Sequence, residues 1–252
     1  MYIRKKISKL KNISNLQIYR SVSMKKTLSL LSIFILSISL LVSCKPEPDD
    51  SYNSFDFYTS KLVMYEKENK KYARKIVDAV FLGDSLTDYY DVKSYYPEYT
   101  VLNRGIAGDT TIWLEQRLDV SLYGVKTKVA IMLIGVNNIE TMMDNYEQIL
   151  ISFKTNIPKT KIILLSLTSM SGLWGQNNQL AADNNVKIKN LAQKYGFEFV
   201  DLYTALLNTE TGEIYDEYTV DGGHLSAKGY EVVTSCIKPV LQKQIDIWEA
   251  EN

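Results

Sequence analysis

Five stretches of the chain are almost continuously apolar and rich in β-branched and aliphatic residues: "KIVDAVFLG" at 75–83, "YTVLNRG" at 99–105, "KVAIMLIG" at 128–135, "TKIILLSLT" at 160–168 and "FEFVDLY" at 197–203. A half-exposed strand alternates apolar and polar positions, so runs without alternation predict central parallel strands covered on both faces. Between them, "TTIWLEQRLDVSL" (110–122), "NYEQILISFKTNI" (145–157) and "NNQLAADNNVKIKNLAQKYG" (177–196) carry helical spacing, the last with Gly196 as its stop. In the tail, Tyr230, Val233, Ile237, Leu241, Ile245 and Trp248 form one helical stripe, and Pro239 is expected to kink or divide it. Strands alternating with helices predict an α/β fold, a three-layer α/β/α sandwich around a parallel sheet of about five strands. No internal repeat interrupts this order.

The N-terminal region follows different rules. The first 43 residues hold eight Lys and Arg and no Asp or Glu. From Met24, two lysines precede an apolar, serine-spotted run from Leu28 to Val42, then Ser43 and Cys44. That is the layout of a secretory signal, and the run is shorter than the roughly 20 residues a membrane-spanning helix needs. Residues 1–43 are therefore expected to be a targeting segment that is removed. Leu41-Val42-Ser43-Cys44 resembles a bacterial lipobox, which implies a lipid on Cys44 as the first mature residue. Residues 44–54, polar and proline-bearing, then read as a tether, and 55–252 as one folded domain. Lysine followed by acidic residues after Cys44 resembles the lipoprotein export signal of Bacteroidota, which implies an outer-membrane and cell-surface location; a short charged linker would carry the same letters.

Without the leader, the balance of 29 basic and 29 acidic side chains becomes 21 against 29, a net of −8. Such an acidic chain suits nucleic acid poorly. With Cys44 reserved for lipid, Cys236 has no partner for a disulfide and is expected on a buried helix face as a small hydrophobe.

Candidate chemistry gathers at strand ends. In open parallel sheets ligands bind beyond the carboxyl ends of the strands, so residues just after the first three converge on one crevice. Ser85 follows the first strand, and at a helix start its own amide can help hold an oxyanion. "GDSL" alone is more commonly a turn and cap. After the second strand, Gly105 admits a substrate oxygen close to a backbone N–H, or is merely a turn residue. After the third, Asn137 offers a side-chain donor, or simply a tolerated left-handed turn. The one histidine, His224, lies in "DGGHLS" ahead of the last helix, with Asp221 near enough to fix its tautomer, to make an Asx turn, or to do both at once. Trp174, in "SGLWGQNN", either stacks on a sugar ring or pins its loop to the core. The tyrosines of "DYYDVKSYYPEY" are expected to cover the helix after Ser85 rather than to form a sugar platform.

Together these stretches resemble a known family. "GDSL" at 83–86, "NRGIAGDTT" with Gly105, "GVNN" with Asn137 and "DGGHLS" with Asp221 and His224 resemble, in order, blocks I, II, III and V of the SGNH hydrolases, also called GDSL esterases and lipases. The resemblance spans about residues 80–230. It implies a flavodoxin-like fold, Ser85 as nucleophile, His224 as general base and then acid, Asp221 as its orienter, and Ser85, Gly105 and Asn137 as the oxyanion hole, with no metal and no cofactor. Many members carry Asp where this chain has Asn138; platelet-activating-factor acetylhydrolase-like members share its Asn-Asn. No Gly-x-Ser-x-Gly elbow and no phosphate-binding Gly-x-x-x-x-Gly-Lys loop are present. The expected activity is ester hydrolysis through an acyl-enzyme on a glycan or small-molecule ester, first as carbohydrate O-deacetylation. A lysophospholipase or other lipid acylhydrolase is the second reading, and an inactive surface glycan-binding lipoprotein the third. Cys44 would supply the contact with the membrane.

Overall fold

The computed structural model describes residues 50–252, with side chains from residue 56. The signal segment, Cys44 and most of the expected tether lie outside the described residues. The chain opens with α1 (Asp50–Lys71) and continues as β1 (Ile76–Gly83), α2 (Ser85–Asp88), α3 (Val92–Tyr95), β2 (Val101–Gly105), α4 (Thr111–Gln116), α5 (Leu118–Ser121) and β3 (Lys126–Leu133). Then follow α6 (Met143–Asn156), β4 (Lys161–Leu165), α7 (Gly172–Gly175), α8 (Asn178–Tyr195), β5 (Glu198–Val200), α9 (Leu202–Leu206), the short pair β6 (Leu207–Asn208) and β7 (Glu213–Ile214), and α10 (Ala227–Glu251).

All five expected strands pair in parallel, in the order β2-β1-β3-β4-β5. From Ala79 to Gly83 and from Val129 to Leu133 every residue is buried. Successive side chains point to opposite faces, so both faces of the sheet are covered and the fold is an α/β sandwich. The chain runs outward from β1 to β2, then returns to place β3 on the other side of β1. That reversal makes the carboxyl ends of β1 and β3 the crevice of the fold.

Five differences from the sequence pattern stand out, the first four with a physical reason. Helix α1 begins inside the expected tether and has no clear apolar stripe, because its inward side carries Lys61, Tyr65, Glu68 and Asn69. Their polar ends are used: Lys61 pairs with Asp88, Tyr65 donates to the Gly105 carbonyl, Glu68 pairs with Arg104, and Asn69 donates to Val120 O at 2.7 Å. The helix expected over 110–122 breaks at Arg117, whose side chain is spent on other segments. β5 is only three residues long, because Asp201 caps α9 by accepting from Thr204 N at 3.0 Å. Pro239 does not divide α10: it sits on the exposed face beside exposed Ser235, whose carbonyl loses its helical donor where water can replace it. Cys236 is free and half-buried, packed against the core rather than fully within it.

Candidate active site

Ser85 stands on the first turn after β1. Asp84 caps that turn, its Oδ1 accepting from Leu86 N at 3.0 Å, and Ser85 is 6% exposed. Gly83 has to be glycine: a Cβ there would fall 2.2 Å from the Leu133 carbonyl oxygen. Asn103 on β2 holds the turn from the other side, donating from Nδ2 to Thr87 O at 2.6 Å and to Tyr90 O at 2.9 Å. The Tyr230 hydroxyl on α10 donates to Leu86 O at 2.9 Å. β2 and α10 thus fix the turn that carries the serine.

His224 Nε2 lies 3.0 Å from Ser85 Oγ, across 139 positions of sequence, and His224 Nδ1 lies 2.7 Å from Asp221 Oδ2. The Asp221 Oδ1 accepts the backbone N–H groups of His224 at 2.7 Å and Gly223 at 2.9 Å. These bonds, that with the imidazole foremost, hold the Asp221 carboxyl down at about 2. An ionised Asp221 accepts a hydrogen bond from Nδ1–H, which keeps the proton on that nitrogen and leaves Nε2 as the acceptor for the serine hydroxyl. The arrangement can carry a proton from Ser85 to His224. The Asx turn and the orienting bond coexist at Asp221, as the sequence allows.

The expected oxyanion donors divide. Asn137 donates one amide hydrogen to Asp109 O at 2.8 Å and has a second to offer. Gly105 does not fit the role: its N–H is spent on Asn103 Oδ1 at 2.8 Å, and a Cβ there would lie 2.2 Å from the Asp88 nitrogen. It is glycine because α2 packs directly on β2. Three residues on, Gly108 has φ +78, nothing within 4 Å of where a Cβ would stand, and an N–H that no hydrogen bond among the described residues uses. The Ser85 N–H is likewise unspent. Gly108 was legible as the second glycine of "GIAGD", but which of two glycines has a free donor depends on packing.

Beneath this loop lies a buried ion pair with no apolar pattern to announce it. Arg117, 2% exposed, donates from Nε to Asp109 Oδ2 at 2.7 Å, from NH1 to Arg104 O at 2.8 Å and Ser121 Oγ at 2.7 Å, and from NH2 to Gly83 O at 2.9 Å. It ties the ends of β1 and β2 to Asp109, whose carbonyl in turn orients Asn137. Burial raises the Asp109 carboxyl, against the opposing pull of the guanidinium. Asn138 accepts from Thr111 N at 3.2 Å and donates to Thr111 Oγ1 at 2.9 Å, while that hydroxyl donates to Asn145 Oδ1 at 2.7 Å. An aspartate at 138 could not make the second of these bonds, which accounts for the amide there.

Trp174 packs on the catalytic loop: a Cβ on Gly223 would fall 2.7 Å from its Nε1, and its ring is 6.2 Å from that of His224. Of its two readings, the pin to the loop is the one this contact matches. Of the tyrosine-rich stretch, Tyr90 and Tyr96 are buried against Phe81, with Tyr230 of α10 stacked on Tyr90, whereas Tyr89 stays exposed beside His224. Among the described residues no group of His, Cys, Asp or Glu side chains is placed to hold a metal.

Comparison with known proteins gives the following. The GDSL-like Lipase/Acylhydrolase family matches residues 81–232. No curated protein matches the chain. Among solved structures, a Streptococcus pneumonia protein provisionally assigned as a platelet activating factor shares 28% identity at a TM-score of 0.63, covering 76% of this chain and 95% of its own. A GDSL-like lipase from Bacteroides thetaiotaomicron shares 21% at 0.61, covering 76% and 98%. An acetylxylan esterase from Geobacillus stearothermophilus shares 17% at 0.54, covering 65% and 93%.

Proposed function

Because this chain belongs to the GDSL-like lipase/acylhydrolase family, we propose that it is an extracytoplasmic serine esterase that removes O-acetyl groups from a carbohydrate. Ester hydrolysis is the family's chemistry; the acetyl group, the sugar and the location are the proposal. The observation that carries it is the continuous relay from Asp221 through His224 to Ser85 Oγ, at 2.7 and 3.0 Å.

Ser85 Oγ attacks the ester carbonyl as its proton passes to Nε2. The oxyanion that forms is met by the Ser85 and Gly108 N–H groups and the free Asn137 amide hydrogen, each such donor being worth roughly 10² to 10³ in turnover. His224 then gives the proton to the departing alcohol oxygen, leaving an acyl-enzyme. Water, deprotonated by the same nitrogen, releases the acid.

A core cavity lined by Leu86, Tyr90, Leu225 and Tyr230 among others holds about 10 Å³, barely enough for one water, and no residue of the Ser85–His224–Asp221 relay lines it. A long acyl chain would have to lie over the surface instead. Exposed Leu173 and Val220, at 91% and 69%, offer such a surface and favour the lipid acylhydrolase as the second reading. The signal segment and the lipid on Cys44, outside the described residues, supply the extracytoplasmic placement; Cys44→Ser should release the protein from membranes, and unchanged fractionation would refute the anchor.

The test is acetate release from a panel of acetylated glycans, wild type beside Ser85→Ala. Release by wild type alone supports deacetylation. Hydrolysis confined to octanoyl or lysophospholipid esters moves the protein to the second reading. Folded protein that turns over no ester and takes no fluorophosphonate on Ser85 is a binder.

A further inference from the structure

His224 uses one nitrogen twice. Nε2 takes the proton from Ser85 and must then hand it to the oxygen of the leaving alcohol. Groups flanking the outer side of the imidazole therefore touch the alcohol half of the ester, not the acyl half. Two aromatic rings flank it, Tyr89 at 5.5 Å and Trp174 at 6.2 Å between centroids.

The two rings are not equivalent. Trp174 is half-buried and occupied with Gly223. Tyr89 is 58% exposed, and its hydroxyl has no hydrogen-bond partner among the described residues. It is also rigidly placed. Its N–H bonds the Ser85 carbonyl at 3.0 Å, one turn after the nucleophile, and the neighbouring Tyr90 carbonyl is held by Asn103 at 2.9 Å. A large apolar ring left open to solvent beside a catalytic imidazole has no role in the core, which other tyrosines fill.

We propose that Tyr89 is the alcohol-side subsite, a platform on which the sugar ring bearing the ester stacks. This rests on the deacetylase reading and specifies which side of the ester the sugar occupies. A pyranose presents a flat face of C–H groups that loses water against an aromatic ring at little cost, while its hydroxyls stay at the edge, where the free Tyr89 hydroxyl can meet them. A phospholipid alcohol fits less well. It carries a phosphate, a poor match for a chain with 21 basic against 29 acidic side chains beyond residue 43.

The experiment measures acid release in a pH-stat from two acetates: a peracetylated methyl glucoside, and ethyl acetate, whose alcohol is too small to reach the ring. Wild type is compared with Tyr89→Ala and Tyr89→Phe, with thermal melts alongside. The expected result is a ~10-fold fall in kcat/KM for Tyr89→Ala on the sugar ester relative to ethyl acetate, largely restored in Tyr89→Phe, as for loss of one stacking contact. An equal fall on both esters would make Tyr89 a prop for His224 and overturn the subsite. So would no fall on either, or a selective fall on a 2-acetyl phospholipid assayed in parallel. If wild type cleaves ethyl acetate but no sugar acetate, the deacetylase reading fails and the subsite with it; if wild type cleaves both and Tyr89→Ala keeps the wild-type ratio of kcat/KM between them, only the subsite fails.

Discussion

Asp84, next to the nucleophile, should make this protein lose stability as the pH rises through neutrality. Its carboxyl is 1% exposed, Oδ1 accepts from Leu86 N at 3.0 Å, and Oδ2 has no partner among the described residues. Desolvation first, and then the neighbouring Asp109 charge, push its pKa from the ordinary 3.8 up to about 7, against the bond from Leu86 and the pull of His224. The folded state therefore holds a proton that the unfolded chain has released between about pH 4 and 7. The stabilisation is complete below about pH 4 and is lost as pH rises through 7. At about 1.4 kcal/mol per pH unit, moving from pH 5 to pH 8 should cost the wild type about 2.5 kcal/mol. Asp84→Asn keeps the acceptor for Leu86 and removes the titration; its new amide, lacking a partner, costs about 1–3 kcal/mol at every pH. That offset cancels in the comparison. Urea unfolding of both proteins at pH 5 and pH 8 should show the wild type losing about 2.5 kcal/mol more than the variant over this interval. Curves that run parallel from pH 5 to 8 would refute a buried, neutral Asp84.

Further outcomes are expected at the glycines, at Arg117 and at Asp221. Gly105→Ala places a Cβ 2.2 Å from the Asp88 nitrogen, so the melting temperature should fall by several degrees or more; Gly108→Ala meets no atom and, at φ +78, costs about 1–2 kcal/mol, but turnover should fall by up to ~10² as the donor rotates away. A fully active Gly108→Ala would remove it from the oxyanion hole. Arg117→Met leaves Asp109 charged and unpaired in the core and should cost about 3–5 kcal/mol, part of it recovered in the double variant with Asp109→Leu; a loss under 1 kcal/mol would mean water already reaches the pair. Asp221, ionised down to about pH 2, contributes stability above its unfolded value that is lost as pH falls through 2, so it should add no inflection to kcat/KM between pH 4 and 9. Asp221→Asn should cut kcat by roughly 10² to 10⁴ while the melt stays cooperative, and an unchanged kcat would show that the carboxylate is not needed to orient His224.

The apolar runs alone were enough to place all five strands and the crevice at their carboxyl ends, because side-chain periodicity and chain direction are local properties. "GDSL" and "DGGHLS" were legible for a related reason: a serine on a tight turn and a histidine three residues after an aspartate need little beyond their own backbone to take shape. Helix α1 was not legible, since its inward face is polar and becomes favourable only when Arg104, Asp88 and the Gly105 carbonyl arrive to satisfy it. Arg117 reads as an ordinary helix-surface cation until the chain closes over it. The choice between Gly105 and Gly108 as amide donor belongs to the same class. Both are glycines at the end of one strand, and only the docking of Asn103 and α2 against the first leaves the second free. Local pattern was enough for the sheet, its polarity and the residues able to do chemistry. The tertiary structure decided which donors remain unspent and which aromatic ring stays open beside His224, because a hydrogen bond or a covered face depends on partners from distant segments that no local pattern records.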